Sequence, residues 1–271
     1  MKKTDKRRAV INQRRAYFEC RYGQLHVRTA FPSTGGFDEL TPLLCLHESP
    51  RSSATFASFL PEMAVDRSVY ACDTSGYGES DPPPAPPSVT DYAAAIGDFL
   101  DGLLLRATDV LGTGTGAAIA VELALARPHS VRRLVLADLP FATAARSGGG
   151  PPPPAEDGSH LLQIWRRSRG VRGADEPLER FAAGFAEELR NGAGASWGAA
   201  ASGAWRAQEQ LPKLLQPVLL LRPRTATWET VPQVRALLAD AVQEDYPAFG
   251  AALFGQAAEP VATRLRAFLD C

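Results

Sequence analysis

The sequence predicts an α/β fold: a mixed, mostly parallel sheet flanked by helices, interrupted by an inserted helical segment. Three observations predict it. Short apolar runs bounded by turn residues recur along the chain, and each is followed by a helical pattern. The first two extended runs alternate and are separated only by a Gly-Gln break, as in an antiparallel hairpin. Between His160 and Gln210 there are helical patterns and no strand-like run. With 271 residues, 45% hydrophobic and 22% charged, the chain suits one large domain with its own core.

The elements follow in order. Lys2, Lys3, Lys6, Arg7, Arg8, Arg14 and Arg15 against Asp5 give residues 1–15 a net charge of +6, leaving −7 for the rest of a chain whose total is −1. This stretch reads as a basic, disordered, solvated tail. No apolar h-region follows it, so it does not read as a signal peptide. Residues 16–31 alternate around Gly23-Gln24 as a hairpin. The apolar run 42–47 precedes a helix over 52–63, and the run 68–73 precedes a Pro-rich turn and a helix over 90–104. Run 108–112 leads into a helix over 116–127, stopped by Pro128, and run 131–138 closes the first half. Continuous apolar strands of this kind belong to a parallel sheet buried on both faces.

Composition then shifts. The Gly/Pro-rich stretch 146–158 cannot form a packed element and reads as a flexible connection. The helical patterns after it carry Trp165, Trp197 and Trp205. A strand signal returns at 217–221, followed by a helix from Val231 and a last helix over 259–269. The expected organisation is a tail over 1–15, a core over 16–140 and 211–271, and a helical cap over 141–210. Cys20, Cys45, Cys72 and Cys271 are scattered without a CxxC pair, so neither a zinc site nor a disulfide framework is indicated. Cys45 and Cys72 lie in apolar runs and read as buried reduced thiols, which points to the cytoplasm. No apolar run is long enough to span a bilayer.

Three motifs carry chemical information. They are His47-Glu48-Ser49-Pro50 at the end of the third strand, Asp73-Thr74-Ser75-Gly76-Tyr77-Gly78-Glu79-Ser80 after the fourth, and Gly112-Thr113-Gly114-Thr115-Gly116 between the fifth strand and its helix. In this order and spacing, from about Tyr17 onward, the chain resembles the α/β-hydrolase superfamily with a helical cap. The resemblance implies the α/β-hydrolase fold, with His47–Pro50 as the turn that supplies an oxyanion-hole amide. Gly112–Gly116 takes the place of the Gly-x-Ser-x-Gly nucleophile elbow, whose following amide, that of Thr115, points into the oxyanion hole.

The resemblance also shows what is missing. The nucleophile position is Gly114, which has no side chain to form an acyl-enzyme. The acid position, after run 217–221, is Ala226, and the base position before the last helix is Ala251. The last of the four histidines is His160, so the C-terminal third contains none. Loss of a triad removes about 10⁶ in turnover, so ordinary ester or amide hydrolysis is not expected. The remaining candidates for chemistry are His47, Glu48, Ser49 and Asp138, with the amide of Thr115. Against a proton-moving His47-Glu48 pair stands a packed histidine beside a solvated glutamate. Asp138 ends the sixth strand, where some superfamily members place the triad acid; a capping or turn role is the alternative. Thr113, Trp165 and Phe181 are candidate pocket walls, beside Gly114, Ala226 and Ala251, although the cap aromatics also fit simple packing.

Other matches weigh less. Gly194-Ala-Ser196-Trp-Gly198 matches Gly-x-Ser-x-Gly literally but follows a helical pattern, so it reads as chance. Glu229 reads as a surface helix start. Gly112, Gly114 and Ala117 with Asp138 fit a dinucleotide fingerprint, but such a fingerprint opens a domain and this one follows the fifth strand. Three functions stay open: a capped enzyme of lyase, cyclase or isomerase type; a non-catalytic binding or accessory protein; and a hydrolase with a displaced site. The expected partner is a small, largely apolar molecule, with no metal, cofactor, nucleic acid or membrane, in a monomer or homodimer.

Overall fold

The computed structural model describes residues 11–33, 39–141, 152–170, 172 and 176–271; the expectations for residues 1–10 and for residues 146–151 of the Gly/Pro-rich connection lie outside the described residues. The expected hairpin is formed by β1 (Gln13–Cys20) and β2 (Gly23–Ala30), paired antiparallel. β1 starts at Gln13, so Arg14 and Arg15 belong to the sheet and not to the tail that their charge suggested. Next come β3 (Leu40–Leu46), a 3₁₀ turn (Ser53–Phe56), α1 (Leu60–Met63), β4 (Arg67–Cys72) and α2 (Val89–Gly102). β5 (Thr108–Thr113), α3 (Thr115–Ala126) and β6 (Val131–Ala137) complete the first half. Between β6 and β7 lie α4 (Ser159–Arg169), α5 (Leu178–Arg190), a 3₁₀ turn (Gly192–Ser196), α6 (Trp197–Ala204) and α7 (Ala207–Gln210). β7 (Val218–Pro223), α8 (Val231–Ala236), β8 (Ala241–Tyr246), α9 (Leu253–Gln256) and α10 (Ala258–Leu269) finish the chain.

Two elements differ from expectation, each for a local reason. The helix expected over 52–63 is broken into a 3₁₀ turn capped by Ser52 and the short α1, with Pro61 in its first turn, where its missing N–H does no harm. β8 was not foreseen, because Ala-Val-Gln-Glu-Asp-Tyr is neither an apolar run nor a clean alternation. It lies at the sheet edge, half exposed, and its carboxylates suit a strand that must not pair further. By contrast α2 begins within one residue of the expected start at residue 90, behind a reciprocal Ser88–Asp91 capping box.

The eight strands are ordered β1-β2-β4-β3-β5-β6-β7-β8. β1 and β2 run antiparallel to their neighbours, and every other pairing is parallel. Alternate residues of the parallel strands feed two cores. Leu44, Leu46, Val110, Leu134, Leu136, Val218 and Leu220 pack against α2 and α3. Leu43, Cys45, Leu111, Val135, Leu219 and Leu221 pack against α1 and α10. This two-residue period explains why the strands read as unbroken apolar runs. The register aligns Leu46 with Gly112, Thr113 with Ala137, and Ala137 with Leu221. The loops that follow β3, β5, β6 and β7 therefore emerge side by side at one end of the sheet, where open α/β sheets carry their sites.

Candidate active site

The site begins with the turn between β5 and α3. Gly114 sits there at φ 54° and ψ −124°, a backbone conformation that L side chains rarely adopt. Its neighbours allow close approach: a Cβ at Gly116 would collide with the Leu46 carbonyl, and one at Gly112 with the backbone of Gly116. The strand-turn-helix thus has the geometry of a nucleophile elbow with nothing at its apex. Thr113 and Thr115 flank the apex and are both buried. Thr115 opens α3, so its amide is one of the first-turn N–H groups that the helix itself leaves unpaired.

The space above the apex is taken by Glu48. A Cβ on Gly114 would lie 2.6 Å from the Glu48 Cβ and 3.4 Å from its Cα. Glu48 therefore occupies the room that a nucleophile side chain would need. Burial pushes the Glu48 carboxyl up to about 7, and the charge of Asp138 pushes the same way. Its own backbone amide, Arg51 and Thr55 only partly offset this. Asp138, just past β6, stands at φ 49°, and its Oδ1 accepts hydrogen bonds from the hydroxyls of Thr225 and Thr227, both at 2.6 Å. These threonines straddle Ala226, so the loop after β7 supplies two donors that hold Asp138. That pairing was not legible in the sequence, because no local signal links residues 87 and 89 positions apart.

His47 does not serve as the proton carrier considered above. Its ring is fully buried; Nδ1 lies 2.9 Å from the Glu48 carbonyl, and Nε2 accepts the Thr74 amide at 3.0 Å. Both nitrogens are thus committed, and burial lowers the ring's pKa, which keeps it neutral and structural. Ser49 turns under the cap: its Oγ is buried against Gly198 and has no hydrogen-bond partner among the described residues. The Asp73 loop is likewise structural. Burial alone would raise the Asp73 carboxyl, but the His26 Nδ1 at 2.7 Å and the amides of Ser53 and Glu79 outweigh it and hold the group at about 2.

The cap is tied to this end of the sheet. Ser52 Oγ donates to Glu187 at 2.8 Å, and Asn191 Nδ2 donates to the Pro50 carbonyl at 2.7 Å. Arg190 pairs with Glu79, and the Gly198 amide donates to the Tyr77 hydroxyl at 2.7 Å. Trp165 stacks edge-on against Phe181 and Phe185, with centroids 4.8 and 4.9 Å apart. Trp165 and Phe181 accordingly form the cap's own core, the packing alternative to a pocket wall. Two clefts of about 310 Å³ open elsewhere, one along residues 202–208 beside Pro140 and one between α8 and β8; Gly114 lines neither. Ser196, from the literal Gly-x-Ser-x-Gly match, lies in the cap's 3₁₀ turn and not in an elbow.

A family model described as "alpha/beta hydrolase fold" matches residues 41–168, the stretch that carries all three motifs. The chain has the α/β-hydrolase fold. Among curated relatives, the 2-hydroxymuconate semialdehyde hydrolase of Pseudomonas sp. strain CF600 is 35% identical over 116 residues, 41% of this chain and 39% of that one. The haloalkane dehalogenase of Mesorhizobium japonicum is 33% identical over 89 residues, 33% of this chain and 29% of that one. The matched stretch thus spans less than two fifths of the length of either relative. Of solved structures, an esterase from Exiguobacterium antarcticum superposes with a TM-score of 0.77 at 17% identity, covering 94% of this chain and 99% of its own. Haloalkane dehalogenase DbeA from Bradyrhizobium elkani gives 0.73 at 17%, covering 96% and 98%. At such identities these likenesses show the fold.

Within this α/β-hydrolase frame the two other substituted triad positions do not behave as pocket walls. Ala226 and Ala251 are both exposed, whereas Gly114 is buried beneath Glu48. Glu229 is exposed ahead of α8, as a surface helix start should be. Among the described residues no group of three or more His, Cys, Asp or Glu could hold a metal ion, and no helix is long and apolar enough to cross a membrane. Of the sequence candidates, the fold brings Glu48, Gly114, Thr113, Thr115 and Asp138 to one end of the sheet, and turns His47 to structural use.

Proposed function

We propose that this α/β-hydrolase-fold protein binds a small molecule beneath its cap and moves protons on it with Glu48, in place of covalent acyl transfer. The observation that carries the reading is the Glu48 side chain seated on Gly114, its carboxyl raised to about 7 by burial. A carboxyl near neutrality can both give and take a proton at working pH. Asp138, fixed by two hydroxyls, is the neighbouring charge that helps keep Glu48 protonated. The amide of Thr115 would stabilise developing charge on a carbonyl oxygen. Lyase, cyclase or isomerase chemistry α to a carbonyl fits this set, and a triad hydrolase does not. Cys45 and Cys72, both buried free thiols, support a reducing, cytoplasmic setting.

A second reading, a non-catalytic binding or accessory protein, is favoured by the cap itself, which is hydrogen-bonded directly onto the Pro50–Ser52 turn. Exchange in D₂O separates the two. A panel of aldehydes, ketones and acids is followed by proton NMR with the wild type and Glu48→Gln. The enzyme reading expects deuterium to enter beside a carbonyl in at least one compound, with a loss of about 10²-fold or more in Glu48→Gln. Exchange that is equal in both proteins, or absent across the panel, overturns it in favour of the binding protein.

A further inference from the structure

We infer that the free edge of β1 pairs with the same edge of a second copy of this chain, antiparallel about a two-fold axis at Tyr17, so that two eight-stranded sheets become one. β1 stands first in the strand order and pairs only with β2. Its other edge presents backbone N–H and C=O groups that have no partner among the described residues. Gln13, Arg15, Tyr17 and Glu19 are exposed along one face of the strand, while Ala16, Phe18 and Cys20 on the other are half-buried. Tyr17 is 51% exposed, although its ring packs against His26. Arg15 and Glu19 enter no ion pair among the described residues. Within the chain Arg15 faces Arg28 across the hairpin, a like charge that an acid from outside would answer. None of these residues belongs to the site around Glu48.

Opposed residues of an antiparallel pair place their side chains on the same face, so a two-fold pairing of this edge sets odd-numbered residues against odd-numbered ones. The register centred on Tyr17 answers charge with charge. Arg15 of each copy falls opposite Glu19 of the other, and the two exposed tyrosines meet between these pairs. On the other face Ala16 meets Phe18, and Arg14 meets the native thiol of Cys20. Neighbouring registers lose this match. Centred on Ala16, Arg15 meets Tyr17; centred on Phe18, Arg15 meets Arg21, a like charge. Opposite charges and aromatics directly across a pair stabilise it, and like charges oppose it. The far edge of the sheet is built differently. β8 carries Glu244 and Asp245 and no base, and both acids are already engaged, by Arg264 and Arg222. No antiparallel self-pairing of β8 brings opposite charges together. Charges of one sign blunt an edge; opposite charges set symmetrically about an exposed tyrosine make the β1 edge complementary to itself.

The test is sedimentation velocity of the full chain over a wide concentration range at low salt, where exposed ion pairs are least screened. The pairing expects a concentration-dependent dimer. Arg15→Glu and Glu19→Arg each set like charges together and should weaken it about five-fold or more, and the double exchange should restore it. All three should keep the circular dichroism of the wild type, since both side chains are exposed. Arg14→Cys reads the register, in a Cys271→Ser background that removes the exposed native thiol. Position 14 lies opposite Cys20 of the second copy, within disulfide reach, whereas in one chain the two are about 20 Å apart along the strand. Mild oxidation should give a linked dimer whose disulfide maps to residues 14 and 20, and none without the substitution at residue 14. A monomer at every concentration overturns the pairing. So does a dimer that both single exchanges leave unmoved, a weakening that the double exchange does not rescue, or the lack of a link between 14 and 20.

Discussion

Gly114 and Glu48 should be energetically coupled, and the structure supplies the magnitude. In Gly114→Ala the new Cβ meets two penalties. The backbone at φ 54° costs about 1–2 kcal/mol for an L residue. The Cβ also falls 2.6 Å from the Glu48 Cβ, well inside contact distance, and relieving such overpacking costs about 1–3 kcal/mol. Gly114→Ala should therefore lose about 2–5 kcal/mol in total. In a Glu48→Gly background the second penalty vanishes and only the backbone one remains. A double-mutant cycle by urea denaturation, with slopes checked for constancy, should return a coupling of about 1–3 kcal/mol. Additive losses, within about 0.5 kcal/mol, would refute the claim that Glu48 fills the nucleophile's place.

Other consequences follow from the same geometry. Glu48 has a folded-state pKa of about 7 against an ordinary 4.5, so the unfolded chain ionises first as pH rises. Stability should fall between about pH 4.5 and 7 by up to about 3 kcal/mol, and Glu48→Gln should flatten that limb in calorimetric melts. Asp73 has the opposite sign: held at about 2 against an ordinary 3.8, it contributes stability above pH 4 that is lost as pH falls toward 2. Asp73→Asn should remove that acid-side loss of about 2 kcal/mol, read by denaturation at stepped pH. Glu187→Ala and Asn191→Ala, which cut the cap from the Pro50–Ser52 turn, should speed amide exchange in α5 by about five-fold each while β5 and β6 keep their protection. Equal acceleration in the core strands would mean that the cap is not a separable unit.

Much of the fold was legible because burial on both faces writes itself as continuous apolar runs, as in Val218–Leu221. β8 escaped, since an edge strand that must resist further pairing carries Gln243, Glu244 and Asp245 where a core strand would carry valines. At the site, the empty elbow at Gly114 and the candidacy of Glu48 and Asp138 were readable from motif order. The role of His47 was not, because the amide that occupies its Nε2 belongs to Thr74, 27 residues away. Nor could spacing reveal that Thr225 and Thr227 hold Asp138. Ala226 and Ala251, the positions that the resemblance gives to the acid and the base, lie exposed, which sequence order alone does not reveal.

The most direct test of the central claim is intact-protein mass after incubation with a fluorophosphonate probe, run beside turnover of a panel of short-acyl nitrophenyl esters. The account predicts an unmodified mass and ester hydrolysis no faster than buffer, because Gly114 offers no nucleophile and Glu48 fills its space. A stoichiometric adduct mapped to Ser49, Ser196, Thr113 or Thr115, with ester turnover that the adduct abolishes, would contradict it.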